Sequence, residues 1–522
     1  MISYKCFLVL SILINLFTVN QGHVNQDQNG GLKNMKKVSF PLNLKSTENI
    51  EINRRIKNVS KIVDFVFETS SRIRVRPAIQ NITTQHIEKY KEAIRRMKAL
   101  DSNDPRSFAQ QALIHGAYCD KYSPADLPSM PLEIHNSWLF LPFHRWFLYF
   151  HEKILRSLIE DDDFVIPFWN YDDPASMTLP SMFDEPTSPL YDPLRNEELR
   201  GSTKLLDFRQ NPNDPEHRLT DVETIQNNLQ VMKLQMVTHS KTSRMFFGGK
   251  YNPDSLLKPD TPGSCERAPH NFIHNLVGSK LTPKGQDMGL LYTAARDPIF
   301  YTHHMNVDRL WTLWKDLSSE NKDPHDSDFL ETSFLFYDEK AQLTRVKIKD
   351  CLNPSALGYR YDNVPILWLN KTRTPQFETF IKRKASEVLR KVTFPLDLIS
   401  TESITVNRRI KNRSKAEKES VEEVIVIEDI EFNNGDSMSF DVHINPSNTV
   451  IRTDISNLAT SFVNVPHVGR CDVKRRLFVG LTDTLDEIEA DNDDEIVITL
   501  VPREGNIKIS GLSIDFFDKH DF

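Results

Sequence analysis

The sequence predicts a mainly α domain, a four-helix bundle, followed by a C-terminal all-β, sandwich-like domain. Three observations predict it. Apolar residues recur at helical spacing in 85–100, 138–160, 221–240 and 304–320. Six histidines lie in and near those stretches as two triplets: His115, His135 and His144, then His270, His274 and His304. From about Phe377 the chain changes to short β-rich runs with turn residues between them. At 522 residues it has room for two or three domains.

Taken in order, residues 1–22 read as a signal peptide, with a short apolar run after one positive charge and then polar residues. Residues 23–63 form an extension. Within it, 37–61 (KVSFPLNLKSTENIEINRRIKNVSK) matches 391–415 (KVTFPLDLISTESITVNRRIKNRSK) at 18 of 25 positions. Both copies alternate as strands do. A duplication or a misjoined gene explains the first copy most simply. The alternative is that it competes for an edge of the C-terminal sheet. Residues 64–370 form the histidine-bearing domain, whose helices are joined by proline-rich loops at 172–195 and 251–264. Residues 371–390 read as an exposed linker. Residues 391–522 carry the runs VIVIEDIEF, SMSFDVHIN, TSFVNVPHV, RRLFVGLTD, EIVITLVPR and IKISGLSIDFF, as expected of a sandwich. The charged stretch 407–423 is expected to be a solvated loop.

The histidine spacing points to metal. Three neutral imidazoles per ion, given twice without an obvious thiolate or carboxylate, suit a pair of copper ions better than structural zinc. His270 and His274 are i and i+4, so they share a helix face. His303 and His304 point about 100° apart on a helix, so one is a ligand and the other packs. His135 and His144 are out of phase on one helix. His135 is therefore expected just before it, with Asn136 or Ser137 as cap. A lone histidine is more often a surface or core residue than a ligand. The case rests on all six in their contexts.

Those contexts carry a family resemblance. HNSWLFLPFHRWFLYFHEKIL and DMGLLYTAARDPIFYTHHMNVDRLWTLW resemble the two copper motifs of plant polyphenol oxidases, the catechol oxidases and tyrosinases of the type-3 copper family. The likeness runs from about Asp64 to the C-terminus. It implies that His115, His135 and His144 bind copper A, and that His270, His274 and His304 bind copper B, leaving His303 aside. It implies a thioether between Cys119 and His135. It implies that Glu266 and Asn271 hold a water that takes the proton of an incoming phenol. Asp297, Asp308 and Arg309 read as supporting and helix-packing groups.

The implied activity is oxidation of o-diphenols to o-quinones with reduction of dioxygen to water. Whether monophenols are also hydroxylated stays open, because the family pattern is broken near copper B. Leu291 stands where a gating phenylalanine is usual, Asn275 follows the second copper B histidine, and Leu276 replaces a tryptophan. Two family disulfides cannot form, since Gly116 replaces one of their cysteines and the upstream pair is absent. Tyr359 and Tyr361 match a closing YxY motif, with Arg74 or Arg76 as partner. SFDVHIN resembles the family's KFDV motif. In relatives the C-terminal domain shields the copper site until a protease removes it, here expected around 362–390. The partners implied are a small phenolic substrate, dioxygen and an activating protease. An oxygen carrier, or a catalytically weak descendant, is the alternative.

Composition excludes other classes. A net charge of −7 and a pI near 6.2 give no case for nucleic acid. No apolar run reaches the ~20 residues of a membrane span. The N-terminus favours the secretory route, to a vacuole or the exterior, over the plastid, because a long serine- and arginine-rich transit peptide is missing.

Overall fold

A computed structural model describes residues 62–519, apart from 69–71, 120–131, 202, 209–218, 253–260, 283–284, 371–391, 446–457 and 468–471. The expected signal peptide, the repeat at 37–61 and the linker at 371–390 lie outside the described residues.

The N-terminal half is helical. Helix α1 (Thr84–Ala99) is capped by Thr83, whose side chain accepts from the His86 N–H. It buries Tyr90, Ala93, Ile94 and Met97, the i, i+3, i+4, i+7 face of an amphipathic helix. Helix α2 (Phe108–Cys119) is apolar on most sides and buried. Helix α3 (Phe140–Ile159) buries sixteen of its twenty residues and ends at Glu160 in the left-handed region. Helix α4 (Asp221–Lys233) opens with a capping box between Thr220 and Glu223 and continues as a π turn over Leu234–Thr238. Helix α5 (Asn271–Val277) follows a π segment, Glu266–His270, broken at Ala268. Helix α6 is Ile299–Leu317.

The expected helices all form, with two differences. Helix α6 starts five residues earlier than its apolar spacing indicated, so His304 lies inside it and not at its end. Helices α2 and α5 were not among the four segments, because a helix apolar on most sides and one of seven residues both carry little amphipathic signal. The histidine-bearing helices are thus α2, α3, α5 and α6.

Two small sheets close this half. Strand β1 (Val63–Asp64) runs parallel to β4 (Leu343–Lys347), which pairs antiparallel with β3 (Ser333–Tyr337). Strand β2 (Arg74–Arg76) runs parallel to β5 (Tyr359–Tyr361), in register Arg74↔Tyr359 and Arg76↔Tyr361. Both expected arginines therefore meet the tyrosine motif, but Arg76 alone stacks on it, 3.5 Å over the Tyr359 ring. Asp308 sits beneath. It accepts from Arg145 Nε (2.5 Å), Tyr359 Oη (2.7 Å) and Tyr361 Oη, with Arg76 Nη1 at 3.5 Å. Asp308 does not pair with its neighbour Arg309, which turns to Asp172. Asp297 pairs with Arg195 at 2.5 Å.

The C-terminal part is a two-sheet sandwich. One sheet has the order β10-β9-β12-β7 and the other β11-β8-β13-β6. The strands are β6 (Leu396–Asp397), β7 (Glu402–Asn407), β8 (Val421–Asn433), β9 (Met438–Ile444), β10 (Leu458–Asn464), β11 (Asp472–Gly480), β12 (Glu495–Glu504) and β13 (Lys508–Asp518). Inward residues of both sheets, among them Ile425, Phe440, Leu477 and Ile498, form its core. The stretch 407–423 is mostly exposed, but it is not a loop throughout and is anchored by buried Arg408, Arg413, Glu422 and Glu423. Arg408 is buried and makes a two-point pair with Glu423, at 2.9 Å for each bond. Residues 415–420 form a short helix. The run carries both signs of charge, and the fold pairs them across the sandwich.

Candidate metal centre

Each histidine reaches the centre by a local route. His115 is in α2, His144 in α3, and His304 in α6. His270 ends the π segment and His274 lies one turn on in α5, so their rings meet at 4.4 Å. His135 precedes α3, as expected. Neither Asn136 nor Ser137 caps that helix in the usual way, because its N-cap residue is Leu139, already in helical conformation. Asn136 instead takes φ 59° and donates its N–H to Glu266 Oε1 at 2.7 Å. That bond ties the His135 loop to the other half of the centre.

The six rings converge. His144 lies 5.4 Å from His115 and 5.6 Å from His135. It also stacks on His304 at 4.1 Å, joining the two triplets. All six are fully or nearly buried. Backbone carbonyls orient several of them: His144 Nδ1 contacts Phe140 O at 2.8 Å, and His274 Nδ1 contacts Met288 O at 2.7 Å. His270 Nδ1 contacts Asn271 Oδ1 at 2.9 Å. With Nδ1–H donating, the Nε2 lone pair faces inward, as a metal-binding histidine requires. Among the described residues, Nε2 of His135, His144 and His270 has no hydrogen-bond partner. His274 Nε2 and His304 Nε2 are 3.4 Å apart.

Burial holds these imidazoles neutral. It pushes His115, His135, His270 and His304 well below the ordinary histidine range, with the neighbouring rings adding to the effect. His144 falls to about 3 and His274 to about 4, for burial first. Neutral nitrogens, aimed inward and unpartnered in a dry core, fit a pair of metal ions.

Two placements differ from a simple pair of triplets. His303 joins His270, His274 and His304, one nitrogen of each lying within 4.8 Å of the others. Its ring stacks over His270 at 5.3 Å, so a helical offset did not remove it from the group. Cys119 Sγ stands 3.7 Å from Nδ1 of both His115 and His135. It is close to the expected partner and equally close to another.

Gly116 has its own reason. A Cβ there would lie 2.9 Å from Tyr292 O, so α2 packs too tightly on 291–294 for any side chain. Cys265 and Cys351 are free thiols, and both are buried, as is Cys119.

The β sandwich covers this centre. Asn271 Nδ2 donates to Val463 O at 2.8 Å, and Asn275 Nδ2 donates to Asn464 O at 3.2 Å. The Leu291 N–H donates to Pro466 O at 3.1 Å, and Leu291 packs with Cys119 and Val465. His467 brings its ring to 6.2 Å from His135 and its Nδ1 to 3.7 Å from Glu133. These covering residues were not among the expected site residues. The only signal was a proline and a histidine at the end of a strand-like run, TSFVNVPHV.

Comparison with known proteins agrees with this architecture. Residues 105–317 match the common central domain of tyrosinase, 323–374 the polyphenol oxidase middle domain, and 394–516 the chloroplastic polyphenol oxidase C-terminal domain. A chloroplastic polyphenol oxidase of Malus domestica is 43% identical over 477 residues, covering 88% of this chain and 80% of its own. Aureusidin synthase of Antirrhinum majus is 41% identical, over 87% of this chain and 84% of its own. The structure of latent apple tyrosinase superposes with a TM-score of 0.81 at 44% identity, over 87% of this chain and 100% of that one. The helical half and the covering sandwich are therefore shared over 87% of the chain, which belongs to the plant polyphenol oxidase family.

Proposed function

We propose that this chain oxidises o-diphenols to o-quinones and reduces dioxygen to water at two copper ions. His115, His135 and His144 would hold copper A, and His270, His274 and His304 copper B. The reaction balances when two diphenols each give two electrons and two protons to one dioxygen, leaving two quinones and two waters. The observation that carries this reading is the set of buried, partnerless Nε2 atoms on His135, His144 and His270. A buried polar group left unpaired costs about 1–3 kcal/mol, and metal ions relieve that cost at several positions at once. When bound, the copper pair supplies the electron-transfer and dioxygen-reducing chemistry.

The chain supplies the rest. Glu266 lies beside the centre and is the candidate to hold the water that takes a phenol proton. Asn271 is its candidate partner, but in the covered form its amide is spent on His270 Nδ1 and Val463 O. Departure of the sandwich would release Nδ2 toward the site. Leu291 and Asn275 would then face the phenol, since both are held by the sandwich through Pro466 and Asn464. Latency follows from this arrangement: substrate and sandwich use the same face. Proteolysis within 362–390 is the proposed activation.

Monophenol hydroxylation is the second reading. It is favoured by a relative named (+)-larreatricin hydroxylase, 43% identical over 88% of this chain. Leu291 packs beside Cys119, on the His115 and His135 side of the centre and not over copper B, and there leucine leaves more room than phenylalanine would. For location we propose the plastid, since several relatives are named chloroplastic. The secretory expectation has no support among them.

Oxygen uptake tests the function. Copper-loaded, protease-trimmed protein should consume oxygen with a simple catechol, and uncut protein far more slowly. Uptake with the matching monophenol would add hydroxylation. No uptake with either phenol, at two coppers per chain, would overturn the reading.

A further inference from the structure

Residues 391–415 do an unusual job in the sandwich. This one segment supplies an outer strand to each sheet. Strand β6 pairs with β13 at Asp397↔Lys508 and Leu396↔Ile509. Strand β7 pairs with β12 over six residues, from Asn407↔Glu495 to Glu402↔Leu500. Between them Leu398 is buried, and Phe394, Leu396, Ile404 and Val406 pack on the core. Arg408 then locks the far end through Glu423 and the carbonyls of Ala490, Asp491 and Asp493. An outer strand is bonded along one side only, which makes it the most exchangeable part of a sheet.

A second copy of that segment exists at 37–61. Every core-facing position has its equivalent: Phe40, Leu42, Leu44, Ile50, Ile52 and the locking arginine, Arg54. Seven positions differ, and four of those fall where 391–415 is exposed: Thr393, Asp397, Ile399 and Thr405, replaced by Ser39, Asn43, Lys45 and Glu51. Asn49 replaces half-buried Ser403, and Ile52 conserves the shape of Val406. Only Val59 alters a buried position, where Arg413 stands 3.9 Å from Glu423. Lys45 also replaces an apolar residue that is 84% exposed, a change that suits an edge.

We propose that residues 37–61 are an alternative edge insert for the β sandwich of their own chain, exchanging with 391–415 along β12 and β13. Exchange within one chain is intramolecular, so its extent does not depend on protein concentration, whereas exchange between chains does. The exchange leaves the sandwich closed while 391–415 is released, together with the linker that precedes it. The inference is independent of the copper chemistry.

The test is a disulfide trap in the full-length chain. Ser403 Oγ lies 2.8 Å from Thr499 Oγ1, so a pair of thiols at these positions is in bonding reach. The variant Asn49→Cys with Thr499→Cys reports the copy, and Ser403→Cys with Thr499→Cys reports the resident segment. After mild oxidation, peptide mass spectrometry should find a 49–499 link in monomeric protein. Adding Arg408→Ala should raise its yield severalfold, and adding Arg54→Ala instead should lower it by a similar factor. Should Arg408→Ala fail to fold, the Arg54→Ala arm still decides. Absence of the 49–499 link where the 403–499 control forms fully, or a link found only between chains, overturns the proposal.

Discussion

At the scale of single residues, the centre is set by which nitrogen each imidazole commits to the protein. Carbonyls take Nδ1 of His144 and His274, which leaves Nε2 for the metal. His304→Ala should therefore reduce copper from two ions per chain to about one, measured by metal analysis of purified protein, with copper A retained. Retention of two ions would move the ligand role to His303, whose two nitrogens also have no hydrogen-bond partner among the described residues. Leu291→Phe should raise KM for bulky diphenols in the trimmed enzyme and leave catechol little changed. Initial rates across a series of ring substituents would show it. A uniform fall in kcat would instead mean that the leucine supports the centre and does not gate it.

At the scale of elements, buried charge holds segments together that are distant in sequence. Asp308 on α6 joins α3 through Arg145, β2 through Arg76, and β5 through Tyr359 and Tyr361. Asp308→Asn removes the charge that compensates the buried Arg145 guanidinium, while Arg76 keeps its pair with Glu152. It should cost about 3–5 kcal/mol in denaturant unfolding, as for other broken buried pairs. Glu422 on β8 is the opposite case. Burial raises its pKa from 4.5 to about 7, only partly offset by Lys519. Its neutral form is the one the fold favours. Its contribution to stability is thus fully present below pH 4.5 and is lost as pH rises through 7. Glu422→Gln should abolish that loss, giving a higher Tm than the parent above pH 7 and a similar one below pH 4.5. Thermal scans across this range decide it, and parallel curves would assign the burial cost elsewhere.

At the scale of the molecule, the proposed latency would be a docking equilibrium between the helical half and the sandwich. His239 sits on that seam with both ring nitrogens spent on the sandwich: Nε2 meets Ala459 O at 2.5 Å, and Nδ1 accepts from the Gly480 N–H at 3.1 Å. Gln235 adds a bond to Thr460 at 3.0 Å. His239→Ala should weaken docking by about 1–3 kcal/mol, since two hydrogen bonds are lost and their buried partners are left unpaired. Uncut protein should then show several-fold higher oxygen uptake with catechol, with the trimmed enzyme unchanged. Equal activities of the uncut parent and variant would mean that other seam contacts carry the latency.

The sequence by itself determined the order of elements, both halves of the architecture and the six converging histidines. Those features are local: period 3.6 or 2 in apolar residues, i and i+4 spacing, and compact motifs around each histidine. What surrounds them was decided only in three dimensions. Helix α2 was hidden because a helix buried on most sides shows no face. The buried anchors of the otherwise exposed run 407–423 went unseen because nothing local announces that Arg408 will find Glu423 across a sandwich. His303 entered the second cluster, although helical geometry set it apart from its neighbour. The covering residues Val463, Asn464, Pro466 and His467 are silent in sequence, because their contact with the centre joins positions 175 or more residues apart. Hydrogen bonds and ion pairs of that range depend on the packing of the whole chain, and no periodicity along the sequence encodes them.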